Sequence, residues 1–303
     1  MLQFQPAGFG QRVIPTSLGI MAYYTPVSAP WSGLTIEGQP QSLVFLHSLG
    51  GGSSAYEWSK VYPAFAANYR VIAPDLIGWG QSSHPAKPYR SEDYFALFTE
   101  LLEAIDPPAC VVASSLTAGL TVRLAIQRPD LFQMLFLVSP AGYGESGANY
   151  GQGIAAQVTS IPGLDRLIYT LGAANEWAVR NFLENFLFAD RSRVTNEMVA
   201  AYLASAQQFN AEHAALSSLR GDICFDLEQY IEQLQTPTFV VWGEKSRFGR
   251  PELAQRLANL NSKAIKKTWT IANVGVLPHL ETPATVIGLL QYCLSSESSS
   301  LLN

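Results

Sequence analysis

Six short apolar runs, spaced so that a helix-length segment fits between neighbours, limit what this chain can fold into more than any other feature. Gln41–His47, Arg70–Leu76, Cys110–Ser114, Met134–Pro140 and Thr238–Gly243 read as buried strands, and Lys266–Ala272, polar at its start, as an edge strand. Helical patterns fall between and after them, over Ala55–Ala66, Ser91–Ala104, Leu116–Arg128, Pro251–Ala258 and Pro283–Leu294. Strand, helix, strand repeated in this way predicts an α/β chain with a mostly parallel sheet. Parallel neighbours need a crossover, and the crossovers cover both faces of the sheet with helices. The stretch "RVIPTSLGIMAYYTP", Arg12 to Pro26, adds an antiparallel hairpin at one edge.

The alternation stops between Gly142 and Gln235, where the text turns helical and carries no strand. A chain of 303 residues suits one large domain with an insertion. The expected division is a core made of 1–141 and 236–303, with 142–235 as an inserted helical cap. Tyr169, Trp177, Phe182, Phe186, Phe188, Tyr202 and Phe209 are expected to build the cap's own core, some of them facing the sheet across an apolar pocket. Ser295–Asn303, "SSESSSLLN", reads as a frayed tail, and no internal repeat is visible.

Several function classes are excluded early. The net charge is −5 with no basic run, which argues against a nucleic-acid surface. Apolar runs such as Met134–Val138 are strand-length, so no membrane span is expected. The N-terminus has no charged region followed by an apolar stretch, so it is not read as a secretory signal. Cys110, Cys224 and Cys293 are far apart, form no redox or metal pattern, and fit a reducing cytoplasm as small buried hydrophobes. No His/Asp/Glu cluster has metal-ligand spacing. "LGGGSS" lacks the lysine of a phosphate loop, and no Gly-x-Gly-x-x-Gly opens a helix. No metal and no cofactor are expected, and nothing in the sequence sets an oligomeric state.

The chemistry-bearing stretch is "VVASSLTAGLTVRLA", Val111 to Ala125: a strand ends, small residues follow, and a helix begins. Ser115 sits at the turn, on a strained elbow that lifts its hydroxyl out of the sheet. The helix start offers the Leu116 N–H to a developing oxyanion. Ala113, Thr117 and Ala118 are the small flanking residues.

Taken with "FLHSLGGGSSAYEW" and "PDLIGWGQSS" in this order, the chain from about Gln41 to Leu294 resembles the α/β-hydrolase fold. The lid-bearing branch is the nearest in pattern: epoxide hydrolases, haloalkane dehalogenases, haloperoxidase-like esterases and carbon–carbon bond hydrolases. The resemblance implies that Ser115 is the nucleophile and that the N–H groups of Leu49 and Leu116 form the oxyanion hole. It matches His47 and Gly50 to the oxyanion loop, with Ser48 where glycine is usual. It also implies that the acid position is Ser246 and the catalytic histidine position is Val276, in "NVGVLPHLETP". His279 matches a second, non-catalytic histidine.

The triad is therefore degenerate. Serine cannot carry the charge that orients an imidazole, and valine cannot accept a proton. A serine without a base is a poor nucleophile near neutral pH. Loss of the base alone removes about a millionfold in rate in a triad that acts as a unit. Of the remaining histidines, His47 is expected to brace its turn, His84 to lie at the surface and His213 on a solvated cap helix. His279 is the candidate rescue base, with Glu281 as its pairing partner. Glu244 and Glu145 are the alternative acids. Two functions fit. One is a non-hydrolytic binder of a small apolar or carbonyl-bearing ligand under the cap. The other is an atypical enzyme, either a hydrolase using Ser115 with a relocated histidine such as His279 or a non-covalent lyase or isomerase.

Overall fold

The computed structural model describes residues 4–33, 40–144, 169, 174–249 and 251–300. Eight strands form one sheet: β1 (Phe9–Thr16), β2 (Gly19–Pro26), β3 (Ser42–Leu46), β4 (Arg70–Pro74), β5 (Ala109–Ser114), β6 (Phe132–Val138), β7 (Thr238–Gly243) and β8 (Ile265–Ile271), in the order β1-β2-β4-β3-β5-β6-β7-β8. The hairpin β1–β2 joins β4 antiparallel, and every pairing from β4 to β8 is parallel. This is an α/β-hydrolase fold, with β8 at the edge.

Period-two alternation explains why the strands are apolar throughout. In β3, Val44 and Leu46 face a core built with Leu97 and Leu101 of α1 (Ser91–Glu103) and Leu120 and Leu124 of α2 (Ser115–Gln127). Leu43 and Phe45 face the opposite core, with Trp58, Tyr62 and residues Val286 and Leu290. Both faces are covered, so neither can be polar.

Two expectations need correction. Ala55–Ala66 is not one helix but two tight 3₁₀ turns, Ala55–Trp58 and Tyr62–Phe65. Pro63 supplies no N–H and disfavours helical backbone at Tyr62, so an α-helix cannot run through. The expected frayed tail is helical over Ser295–Ser300, where the last helix continues from Pro283, and 301–303 lie outside the described residues. Ser295 Oγ donates to the Gln291 carbonyl and Ser296 Oγ to the Cys293 carbonyl, so the hydroxyls are satisfied within the helix.

Between β6 and β7 lie α3 (Glu176–Phe182), a wide turn Leu183–Leu187, α4 (Asn196–Ala206), α5 (Ala211–Arg220) and the short α6 (Glu228–Ile231). The stretches 145–168 and 170–173, which include Glu145, lie outside the described residues. The aromatics of this region divide. Tyr169, Phe188 and Tyr202 are buried, whereas Trp177 and Phe209 are about three-quarters exposed and Phe186 is also exposed. The reason at Trp177 is geometric. Ala178 and Val179 take the buried side of α3, and Trp177 lies roughly 200° round the helix from Val179. After β7 come α7 (Glu252–Leu260), α8 (Pro278–Glu281) and α9 (Pro283–Ser300). Cys110 and Cys293 are buried and Cys224 is half-buried; none forms a disulfide.

Candidate functional site

β5 ends at Ser114 and α2 begins at Ser115 with no intervening loop. Ser115 pays for that junction with a left-handed backbone, φ +57°. The neighbouring backbone carbonyl of Ser115 accepts from the Ala141 N–H at 3.4 Å, tying the elbow to the end of β6. The hydroxyl of Ser115 stands 2.6 Å from the phenol oxygen of Tyr143.

A cavity of about 180 Å³ opens over the elbow. Ser115, Leu116, Leu49 and Val276 all line it, as do Tyr143 and, from the helical segment, Phe182, Leu187 and Leu219. Four of the positions singled out in the sequence are thus brought together. Ser246 and His279 are not among the described residues that line it. Ser246 is half-buried, and its hydroxyl donates to the Phe248 carbonyl at 3.0 Å. Its neighbour Glu244 is exposed, accepts from the Asn273 N–H at 3.0 Å and is not among the described residues that line the cavity.

His279 is fully buried and stacks on Trp58, with ring centroids 3.9 Å apart. Its Nε2 lies 3.9 Å from Glu57 Oε2, a charge contact too long for a hydrogen bond. Burial lowers the imidazole pKa more than the Glu57 carboxylate raises it, so the ring is neutral at pH 7. Glu281 does not pair with His279. Its side chain is fully buried and accepts from the N–H groups of Gly275 (2.7 Å), Ala189 (3.1 Å) and Asp190 (3.0 Å) and from Arg193 Nη1 (3.0 Å). The Val276 N–H donates to the Leu187 carbonyl at 2.8 Å in the same cluster. The loop that positions Val276 is therefore clamped to residues 187–193, with Val276 itself only 3% exposed.

The other three histidines also have structural surroundings. His47 is buried: its Nδ1 lies 2.6 Å from the Ser48 carbonyl, and its Nε2 accepts from the Leu76 N–H at 2.9 Å. Those partners fix the tautomer with the proton on Nδ1. His84 is half-buried rather than at the surface, because Nε2 reaches the Gly80 carbonyl at 3.1 Å. His213, on α5, is half-buried.

Glu57 was not singled out by sequence reasoning. It is a carboxylate embedded in the apolar run "AYEW", and that setting was the available signal. It accepts from the Ser48 N–H (2.8 Å), the Ser48 hydroxyl (2.8 Å) and the Tyr202 hydroxyl (3.0 Å). Burial alone would push this carboxyl up. Contacts with His279 and His47 and the Ser48 N–H outweigh it and leave the group at about 2. Of these, the Ser48 donors have hydrogen-bond distances and are the firmer cause. Ser48 thus anchors the loop after β3 on a buried charge. A carboxyl lowered from 4.5 to about 2 contributes stability that is complete above pH 4.5 and is lost as pH falls towards 2. Urea midpoints measured across that range should fall with acid, and Glu57→Gln should flatten that part of the curve. An equally steep curve in the variant would assign the acid sensitivity to other groups.

Residues 43–289 match the model of the alpha/beta hydrolase family. The chain belongs to that family. Over 255 residues it is 27% identical to the uncharacterized hydrolase YugF of Bacillus subtilis, covering 81% of this chain and 87% of that one. It also matches an uncharacterized protein of Mycobacterium tuberculosis at 34% identity over 108 residues, covering 35% of this chain but only 31% of that protein's length. Among solved structures, a meta-cleavage product hydrolase from Pseudomonas fluorescens IP01 superposes with a TM-score of 0.74 at 20% identity, over 96% of this chain and 99% of that one. This alpha/beta hydrolase family member has no described cluster of His, Cys, Asp and Glu able to hold a metal. No described helix is long and apolar enough to cross a membrane.

Proposed function

We propose that this chain is a non-hydrolytic member of its family, a cytoplasmic protein that binds a small apolar or carbonyl-bearing ligand beneath a cap formed by 142–235. In this reading Ser115 is retained, Ser246 and Val276 occupy the places of acid and base, and the N–H groups of Leu49 and Leu116 are directed at the ligand. One observation carries it: Val276 lines the cavity beside Ser115, while His279 is stacked on Trp58 away from it. To serve as a base, His279 would have to leave Trp58 and come within about 3 Å of the Ser115 hydroxyl. The clamp on its loop through Glu281 opposes that movement.

The apolar lining supports a ligand with little polar surface. Phe182, Leu187, Phe248, Leu277 and Leu219 supply most of it.

The test is reaction with a fluorophosphonate probe, read by intact mass, on the wild-type protein and on Ser115→Ala. Such probes require an activated serine. No labelling is expected in either protein. Stoichiometric labelling that disappears in Ser115→Ala would overturn the proposal, because a base would then be reaching Ser115.

A further inference from the structure

We infer that Tyr143 sets the specificity of this cavity: its phenol turns Ser115 into a hydrogen-bond donor, and the pair selects ligands whose polar group is a neutral carbonyl. The inference rests on the ligand-binding reading above and narrows it to a chemical class.

The first observation is the 2.6 Å separation between Ser115 Oγ and Tyr143 Oη. A phenol, with an ordinary pKa of about 10, is far more acidic than an alkyl hydroxyl and is the better donor. Tyr143 therefore donates and Ser115 Oγ accepts. The serine proton is left to point elsewhere, and Ser115 lines the cavity. A serine oxygen already accepting a strong hydrogen bond is also a weaker nucleophile. The same contact thus accounts for a serine kept without a base.

The second observation is how firmly Tyr143 is held. It has a left-handed backbone, φ +65°, which a side-chain-bearing residue keeps only where its surroundings fix it. Residues on either side supply that. The Phe225 N–H donates to the Gly142 carbonyl at 2.8 Å, and the Gly144 N–H to the Phe225 carbonyl at 2.9 Å. Both glycines are needed for this approach. A Cβ on Gly142 would lie 2.2 Å from the Phe225 carbonyl oxygen, and one on Gly144 would lie 2.7 Å from its carbonyl carbon. Phe225 is in turn covered by the Arg123 guanidinium, 4.7 Å above its ring. Backbone pairing, steric clearance and a cation over the ring all fix one tyrosine against one hydroxyl.

The third observation is the sign of the polar groups. The Ser115 hydroxyl, backed by Tyr143, lines the cavity together with Leu49 and Leu116, whose N–H groups the proposed reading directs at the ligand, and all three are donors. An acceptor oxygen satisfies them. No lysine or arginine is among the described lining residues, so a carboxylate would enter without a counter-charge. An alcohol accepts too, but must also place its own proton. A ketone or aldehyde carbonyl on an apolar body fits both the donors and the lining.

The test uses four matched probes on the full chain, with binding read by fluorine NMR: para-fluoroacetophenone, the corresponding methyl carbinol, para-fluoroethylbenzene and para-fluorobenzoate. The ketone should bind about tenfold tighter than the hydrocarbon, as one well-formed neutral hydrogen bond allows. In Tyr143→Phe that preference should fall to roughly threefold or less, with hydrocarbon affinity unchanged within about twofold. A merely structural tyrosine would shift all four affinities together. A ketone preference that survives Tyr143→Phe, a carbinol that binds as well as the ketone, or a benzoate that binds best would each overturn the inference and leave the binding reading standing. No binding by any probe would overturn both.

Discussion

If the proposed non-hydrolytic reading holds, Ser246→Asp combined with Val276→His is expected to raise esterase activity well above that of the wild type. Hydrolysis of p-nitrophenyl acetate should rise at least 100-fold over wild type, the lower range of what a positioned general base contributes. The double variant should also be labelled by the fluorophosphonate, which is expected to leave the wild type untouched. The residues to be completed are already in place: Ser115 at φ +57° on the elbow, with Leu49, Leu116 and Val276 around one cavity. Ser246→Asp alone should do nothing, because an acid has no imidazole to orient. Val276→His alone should recover part of the rate, since an unsupported histidine still accepts a proton but samples the wrong tautomer and orientation. Tyr143 predicts a further gain. Its phenol, donating to Ser115 Oγ, leaves that oxygen a weaker nucleophile even when an imidazole takes the proton, so adding Tyr143→Phe should raise the rate again. A double variant that keeps its unfolding midpoint and shows no labelling would mean that the defect does not reside at positions 246 and 276.

Removing the Glu281 carboxylate is expected to be the most damaging single substitution for stability outside the sheet. Four donors converge on it: three backbone N–H groups and the Arg193 guanidinium, all within 3.1 Å. The carboxylate is fully buried, while Arg193 keeps about a third of its side chain in water. Glu281→Leu strands the buried Gly275 N–H, at a cost of about 1–3 kcal/mol, and takes the acceptor from the partly buried Ala189 and Asp190 N–H groups. The whole change should cost about 2–4 kcal/mol, because the Arg193 left behind is partly exposed and is not a buried unpaired charge. Glu281→Gln keeps one acceptor oxygen and should cost less than Glu281→Leu. Arg193→Met should cost least, because its partner still accepts from three N–H groups. Urea unfolding of the three variants orders them. A Glu281→Leu loss below about 1 kcal/mol would mean that water replaces the carboxylate, and that the loop carrying Val276 is not held by this cluster.

The sequence by itself determined the parts that follow from hydrophobic period and local chain geometry. Strand-length apolar runs separated by helical ones leave few options besides a doubly covered parallel sheet, and the strand-to-helix junction at Ser115 follows from adjacent patterns. Motif order along the chain also supplied the proposal that Ser246 and Val276 stand where an acid and a base would be. What only the tertiary structure decided are contacts between residues far apart in sequence. Glu281 lies two positions from His279, yet its partners are Gly275 and the stretch 189–193; burial of one carboxylate among several backbone donors outweighs a neighbouring imidazole. His279 is near Val276 in sequence but packs on Trp58, because a flat neutral ring gains more from an aromatic face in a dry core than from facing a cavity. The seven aromatics between β6 and β7 could not be sorted into buried and exposed, since a short helix reveals its inner face only once it has packed. Tyr143 is the sharpest case. Its flanking glycines were visible, but their purpose was not: they let Phe225, more than 80 positions away along the chain, approach closely enough to hold a phenol against Ser115. Local patterns fix the scaffold because they depend on neighbours in the chain, whereas the chemistry of the cavity depends on which distant side chains the packed core leaves facing one another.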